Sequence, residues 1–151
     1  MRAVVQRVSR SSVTIDRTVV GSTGPGLVVL VGVEDGDEVR DADVLADKVI
    51  GLRIFGDPDG RMNRSVAEVG GSVLAISQFT LVADVRRGRR PSFTTAADPT
   101  VAEPLVKRVV ERMRTSGVPV ETGVFGANMS VSLDNDGPVT IVVDTVGGSI
   151  V

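Results

Sequence analysis

The stretch Asn135-Asp136-Gly137-Pro138-Val139-Thr140 sets a Gly-Pro turn between two runs of strand character. Before it, Met129-Ser130-Val131-Ser132-Leu133 alternates apolar and polar, and after it Val139 to Val143 is almost wholly β-branched. Alternation and β-branching mark half-buried strands, and Gly-Pro punctuates them. The pattern predicts an antiparallel hairpin with Gly137 and Pro138 at its tip. Taken alone, the dipeptide is an ordinary trans turn, because an X-Pro bond is cis in only about 5–6% of cases in folded proteins.

Working outward from that hairpin, the chain supplies further strands and two helices. Arg2 to Val8 is rich in valine and Ser12 to Asp16 alternates, which reads as two strands joined by a short polar turn. Gly26 to Val33 is the longest apolar run, a buried strand far short of the roughly 20 residues a membrane span requires. The glycines of Gly21 to Gly26 are not spaced for a phosphate loop. No Gly-Lys-Ser/Thr follows them, and the next element is a strand that offers no helix N-terminus. From Glu38 to Arg53, Val39, Ala42, Leu45, Ala46, Val49, Ile50 and Leu52 recur at helical spacing, with Asp35 or Asp37 as cap. Gly56-Asp57-Pro58-Asp59-Gly60 is a Pro-Asp-Gly turn without the additional acidic ligands of a calcium loop. Ser72 to Ile76 is a short strand leading into Ser77. The polar segment Ala83 to Pro99 is longer than a structural connection needs, which marks it as functional. A second helix follows to about Ser116, with Val101, Leu105, Val109 and Met113 on one stripe, Pro104 within its opening turns, and Gly117 and Pro119 ending it. With a last strand near Val118 to Glu121, the expectation is a single α+β domain over residues 1–151. Its sheet is mostly antiparallel, strongly curved and flanked by two main helices.

The 151 residues, 42% of them hydrophobic and 24% charged, suit one globular domain with a real core. Arg2 and Arg7 interrupt the first apolar segment, leaving no signal-peptide core, so a cytoplasmic location is expected. What is missing constrains the chemistry most: there is no His and no Cys. Ser-His-Asp and Cys-His catalysis, disulfides and zinc sites built on thiolate or imidazole are thereby excluded. Neither a metal nor another cofactor is expected, and activity should survive chelation. Lys48 and Lys107 are the only lysines, and neither sits in a phosphate loop. The net charge of −2 argues against a generally basic, nucleic-acid-coated surface, yet Arg86-Arg87-Gly88-Arg89-Arg90 concentrates four arginines in one short run. By spacing alone this run is either a solvated loop or an RNA phosphate contact.

A second stretch, Ser77-Gln78-Phe79-Thr80-Leu81, gives the first its meaning. An SQFTL stretch followed by an NxGPxT stretch resembles the D-aminoacyl-tRNA deacylase family, and both signatures stand here intact. The resemblance continues through Met1 to Val8 and through Phe125-Gly126-Ala127-Asn128-Met129, so it covers essentially the whole chain. It implies a small barrel-like sheet with flanking helices, and hydrolysis of the ester between a D-amino acid and the terminal adenosine of a tRNA.

The same resemblance assigns roles. Gly137 and Pro138, cis in the family, would turn main-chain carbonyls towards the α-ammonium and stand as a wall where an L side chain would point, with Thr140 in the same motif. Arg7 corresponds to an arginine that buttresses the turn. Ser77, Gln78, Phe79 and Thr80 would form the catalytic stretch, their N–H groups facing the developing oxyanion. Thr80 is the obvious nucleophile, but without histidine it lacks a base, which favours attack by water assisted by the ribose hydroxyl. Phe125 and Met129 would receive the adenine, although core packing is the usual fate of such side chains. The resemblance also tips Arg86, Arg87, Arg89 and Arg90 towards tRNA phosphates. It implies a homodimer in which Gly137-Pro138 of one chain enters the partner's site, and aminoacylated tRNA rather than DNA or a membrane as the partner. The competing expectation is a non-catalytic tRNA-binding module or a synthetase-associated editing factor.

Overall fold

One strand, β1 (Arg2–Ile15), runs the height of the protein in the computed structural model, which describes residues 1–151. The polar break predicted after Val8 does not interrupt it. Arg10, Ser11 and Ser12 keep their partners in the ladder, and Ser9 and Arg10 point to solvent. At its far end Asp16 and Arg17 both adopt positive φ, 47° and 66°. That is the two-residue hairpin geometry whose twist suits antiparallel strands, and it returns the chain as β2 (Thr18–Thr23). β3 (Gly26–Gly32) then pairs with the first half of β1, as β2 pairs with the second.

After β3 come α1 (Val39–Ile50), the small hairpin β4 (Phe55–Gly56) and β5 (Met62–Arg64), then β6 (Ser72–Ser77). A 3-10 turn (Phe79–Val82), α2 (Pro99–Thr115), β7 (Val120–Thr122), β8 (Ser130–Val146) and β9 (Ser149–Ile150) complete the chain. The main sheet has the order β7-β6-β3-β1-β8-β9, with β2 branching from β1.

This sheet is mixed, which corrects the mostly antiparallel expectation. β3 with β6 and β6 with β7 are parallel, whereas β1 pairs antiparallel with β2, β3 and β8. The cause lies in the connections: each parallel pair is bridged by a helix, α1 or α2, and a helical crossover brings the next strand back in the same direction.

The larger correction concerns the opening motif. The runs on either side of Gly137-Pro138 do not fold back on each other. They are the two halves of β8, which pairs antiparallel with β1 from Arg2↔Asp144 to Thr14↔Ser130. Gln6 pairs with Thr140 and Val8 with Asn135, so Asp136 to Val139 stand opposite Arg7 alone. The Gly-Pro turn is therefore a wide bulge in one long strand. Proline has no N–H for the ladder, which is why the chain leaves it there.

The sheet curls into a half-barrel with apolar residues on both faces. Ala3, Val5, Leu27, Val29, Val31, Val73 and Ala75 pack under the helices against Leu45, Val49, Leu105, Val109 and Met113. Val8, Val13, Val28, Leu74 and Ile76 fill the inside of the curl, with Met129, Val131 and Leu133 against them. Strands buried on both faces read as unbroken apolar runs, as Gly26 to Val33 does. α1 begins at Glu38, whose N–H donates to Asp41 Oδ2 at 3.0 Å. The predicted cap Asp37 serves the Glu34 N–H and the Met1 amine instead, at 2.6 Å each. Asp98 caps α2 by accepting from the Thr100 N–H at 2.9 Å, and Pro104 lies inside that helix. No helix is long and apolar enough to cross a membrane.

Candidate active site

β6 delivers Ser77 to the edge of the sheet, and the chain then turns sharply. The Gln78 N–H donates to Val31 O at 2.7 Å, Leu81 N–H to Gln78 O at 3.2 Å and Ala83 N–H to Thr80 O at 3.2 Å. Backbone bonds thus shape this 3-10 turn, and from outside it Arg2 Nη1 donates to Leu81 O at 3.3 Å and Thr95 Oγ1 to Val82 O at 3.1 Å. The N–H groups of Phe79 and Thr80 open the turn and have no acceptor inside it, as at any helical N-terminus. Gly32 lies behind it, where a Cβ would come 3.0 Å from Gln78 O and 3.1 Å from Leu81 Cβ. The turn is laid directly on β3, and nothing larger than glycine fits there. Gln78 Nε2 donates to Thr80 Oγ1 at 2.5 Å, which holds the hydroxyl in place.

In front of the turn is a cavity of about 590 Å³, within the range of small-molecule sites. Ser77, Gln78 and Phe79 line one side and Phe125 to Met129 the other, and Ala97, Ala102 and Val106 close its apolar end. Met129 is pressed over Gly123, where a Cβ would meet its sulfur at 2.4 Å. Phe79 is 58% exposed and meets Phe93 edge to face, with 5.0 Å between ring centroids. An apolar chamber with three amide-bearing or hydroxyl side chains at its rim suits a nucleoside.

The second predicted cluster is elsewhere. Arg7, Gly137 and Pro138 line a shallow cleft with Phe55, Met62 and Asp136. The Gly137-Pro138 bond is cis. Gly137 has φ 125°, and a Cβ there would come 2.9 Å from Arg7 Nη2, so the position requires glycine. Arg7 donates from Nε to Asp136 O at 3.1 Å and from Nη1 to Ile54 O at 2.5 Å, and lies 3.3 Å from the Asp136 carboxylate. Asn135 spans the bulge from inside: its Oδ1 accepts the Val139 N–H at 3.1 Å and its Nδ2 donates to Thr140 Oγ1 at 2.8 Å. Gln6 Nε2 donates to the same hydroxyl at 3.2 Å. Thr140 is thus a strut under the loop.

The sequence-predicted residues therefore fall into two groups. Ser77, Gln78, Phe79, Phe125 and Met129 share one cavity, with Thr80 just outside its lining; Arg7, Gly137, Pro138 and Thr140 form the other group. The two groups line separate pockets that share no residue: Val131, at the first, pairs with Val13, and the bulge lies opposite Arg7, six residues of β1 away. Arg86, Arg87, Arg89 and Arg90 are exposed on the segment between the 3-10 turn and α2. Sequence reasoning missed Asn135, Gln6 and Phe93. Asn135 was signalled by its place in the NxGPxT stretch, whereas the roles of Gln6 and Phe93 depend on register and packing. No group of three or more carboxylates is placed to hold a metal ion.

This geometry has close relatives. The family model described as D-Tyr-tRNA(Tyr) deacylase matches residues 4–144. A protein of Symbiobacterium thermophilum named D-aminoacyl-tRNA deacylase is 61% identical over 145 residues, covering 96% of each chain. One of Thermomicrobium roseum with the same name is 59% identical, covering 99% of each chain. Among solved structures, a c-Myc DNA unwinding element binding protein superposes with TM-score 0.92 at 35% identity, over 97% of this chain and 100% of that one. A probable eukaryotic D-amino acid tRNA deacylase shares the fold, with TM-score 0.77 at 18% identity over 93% and 97% of the two chains. Taken with the intact SQFTL turn and NxGPxT bulge, these matches show that the chain belongs to the D-aminoacyl-tRNA deacylase family.

Proposed function

We propose that the protein hydrolyses the ester bond of D-aminoacyl-tRNA, releasing free D-amino acid and tRNA, and so keeps D-amino acids out of translation. One observation carries the reading. The N–H groups of Phe79 and Thr80 lack acceptors within their turn, and Ser77, Gln78 and Phe79, which lead into it, line a nucleoside-sized cavity. Donors of this kind, fixed before the reaction begins, contribute about 3–4 kcal/mol each when negative charge develops on a carbonyl oxygen.

The terminal adenosine occupies the apolar chamber between Phe79 and Phe125 to Met129, which brings the ester to the turn. Water adds to the carbonyl carbon, helped by the neighbouring ribose hydroxyl, and the Phe79 and Thr80 N–H groups hold the resulting oxyanion. The bond to the ribose oxygen then breaks, and that oxygen takes up the proton the water has lost. Thr80 positions the turn through Gln78. With no histidine in the chain, its hydroxyl has no imidazole base to activate it.

Selection against L-amino acids falls to Gly137 and Pro138, buttressed by Arg7 and braced by Thr140. Within one chain they line a pocket that shares no residue with the cavity, which favours completion of each site by the partner in a homodimer. A bulge that projects from a long strand is shaped for that exchange. The work belongs where charged tRNA is used, in the cytoplasm.

The test is release of amino acid from charged tRNA at catalytic enzyme concentration. D-Tyr-tRNA is expected to be cleaved rapidly and L-Tyr-tRNA to be spared. Glycyl-tRNA is expected to be cleaved measurably, since a wall that works by clash cannot reject a residue without a side chain. Binding without release would leave a tRNA-binding module in place of an enzyme. Resistance of glycyl-tRNA beside rapid D-Ala-tRNA cleavage would show that the D side chain itself is recognised.

A further inference from the structure

The arginine run is not four equivalent cations. Arg86 is engaged: its Nε and Nη2 donate to the Asp84 carboxylate at 2.9 and 2.7 Å, and its backbone N–H donates to the same group at 2.9 Å. These bonds hold the Asp84 carboxyl down to about 2, the Arg86 side chain contributing most. The clip therefore stays ionised across the physiological range. Arg87, Arg89 and Arg90 are exposed and form no ion pair with any carboxylate.

The loop that carries them is anchored at its base. Asp84 and Ser92 exchange two backbone hydrogen bonds of 2.8 and 2.9 Å, and Gly88 takes the positive φ of 70° that the tip requires. Beyond Ser92 the chain goes straight into Phe93, which lines the cavity and packs on Phe79. Three unneutralised guanidiniums thus sit on a pinned loop rooted in the wall of the candidate active site. On a chain whose net charge is −2, three such cations within four residues make a local site of positive potential that draws a polyanion.

Resting on the proposed function, we infer that Arg87, Arg89 and Arg90 grip the phosphodiester backbone of the RNA strand whose last nucleotide enters the cavity. Arg86 only shapes the loop. From Phe93 back to Gly88 the chain reaches at most about 17 Å, a span of a few nucleotides. The phosphates held are therefore those next to the esterified end. A blunt double-stranded DNA offers no such end to the cavity, so it gains charge attraction without the continuity.

The experiment measures binding of an uncharged RNA hairpin with a single-stranded 3′ overhang as a function of salt. Because the RNA carries no ester, the result is independent of whether the protein hydrolyses anything. Each phosphate contact contributes about 0.7 to the slope of log K against log salt on a single strand. The triple variant Arg87→Ala/Arg89→Ala/Arg90→Ala should lose about 2 from that slope. The charge-conserving pair Asp84→Asn/Arg86→Gln should keep the wild-type slope while binding weakens several-fold. A wild-type slope in the folded triple variant would return the run to a solvated loop, and a loss of about 0.7 in the clip variant would make Arg86 a phosphate ligand. Blunt duplex DNA of equal length should bind more weakly to the wild type, and equal or tighter binding there would replace the strand-end assignment with a general DNA surface. On charged substrates, the preference for an RNA ester over the corresponding aminoacyl-adenosine should shrink at least tenfold in the triple variant.

Discussion

The SQFTL turn and the Gly-Pro bulge are both departures from a strand, and they are held in opposite ways. The turn at the end of β6 is shaped by its own backbone hydrogen bonds and by the absence of a side chain at Gly32, with Arg2 and Thr95 adding one bond each to its last two carbonyls. The bulge in β8 leaves the ladder over Asp136 to Val139 and is fixed by side chains, Arg7 from outside and Asn135 from within. Oxyanion chemistry needs N–H groups that every residue except proline carries, so main chain suffices. A wall of chosen shape needs a particular frame, so specific side chains must hold it.

The sharpest way to break this comparison is to remove one side chain from each region. Arg7→Ala strips donors from Ile54 O and Asp136 O beneath a mostly buried guanidinium, and should cost about 2 kcal/mol of stability. Displacing the wall by about 1 Å should lower kcat/KM for D-Tyr-tRNA on the order of 100-fold. Gln78→Ala should leave urea-unfolding stability within about 0.5 kcal/mol of wild type, because its side chain carries none of the turn's backbone bonds. Equal destabilisation by the two variants would show that side chains hold both regions alike.

A second measurement asks whether the two regions belong to one site or to two chains. One variant is disabled at Gly137-Pro138 and the other at Gln78-Phe79, and the two folded, inactive variants are mixed so that the proposed homodimer can exchange subunits. Each mixed dimer has one sound site, giving roughly a quarter of wild-type activity at statistical exchange. Inactive heterodimers, shown to be present, would mean that each chain completes its own site.

The smallest expected effect is that of pH. With no histidine, no side chain has its unperturbed pKa between 5 and 8, and stability should be flat across that range. Asp41 is 1% exposed. Burial pushes its carboxyl up, but hydrogen bonds from the Gly148 and Glu38 N–H groups outweigh that and hold it below the usual carboxylate range. A depressed folded-state value adds stability above the unfolded value of about 3.9, which is lost as pH falls through the folded one. Thermal stability should therefore fall only below about pH 4, and a loss of stability near pH 6 would contradict this.

How much of this was legible in the sequence follows from the range of each interaction. Both helices and the buried β3 depend on local periodicity, which the chain carries openly, and the SQFTL stretch was read from its resemblance to a family signature. The long β1 and β8 did not, because Ser9-Arg10-Ser11 looks like a turn until β8 lies beside it. Gly137-Pro138 likewise marks a reversal in a short window, and only the pairing of Gln6 with Thr140 and Val8 with Asn135 makes it a bulge. The parallel pairs were present as strand-helix-strand order but were outweighed by that apparent hairpin. For the site, motif residues were recoverable, and their separation into two clusters within one chain was implied only by the family resemblance, since it depends on which face of the curled sheet each one occupies.

The pairing of β1 with β8 also bears on how the protein is made. β1 leaves the ribosome well before β8, and one of its edges waits until residues 130–146 are synthesised, an interval in which an open strand can pair with a neighbouring chain. Arg2, Arg7 and Arg10 are distributed along it, and charge on a waiting edge discourages that encounter. In the finished fold each meets a carboxylate of β8: Arg2 meets Asp144, Arg7 meets Asp136 and Arg10 meets Asp134. The guards of the nascent edge become a three-tooth key for its rightful partner. Sliding β8 by one residue would move every tooth to the opposite face of the sheet.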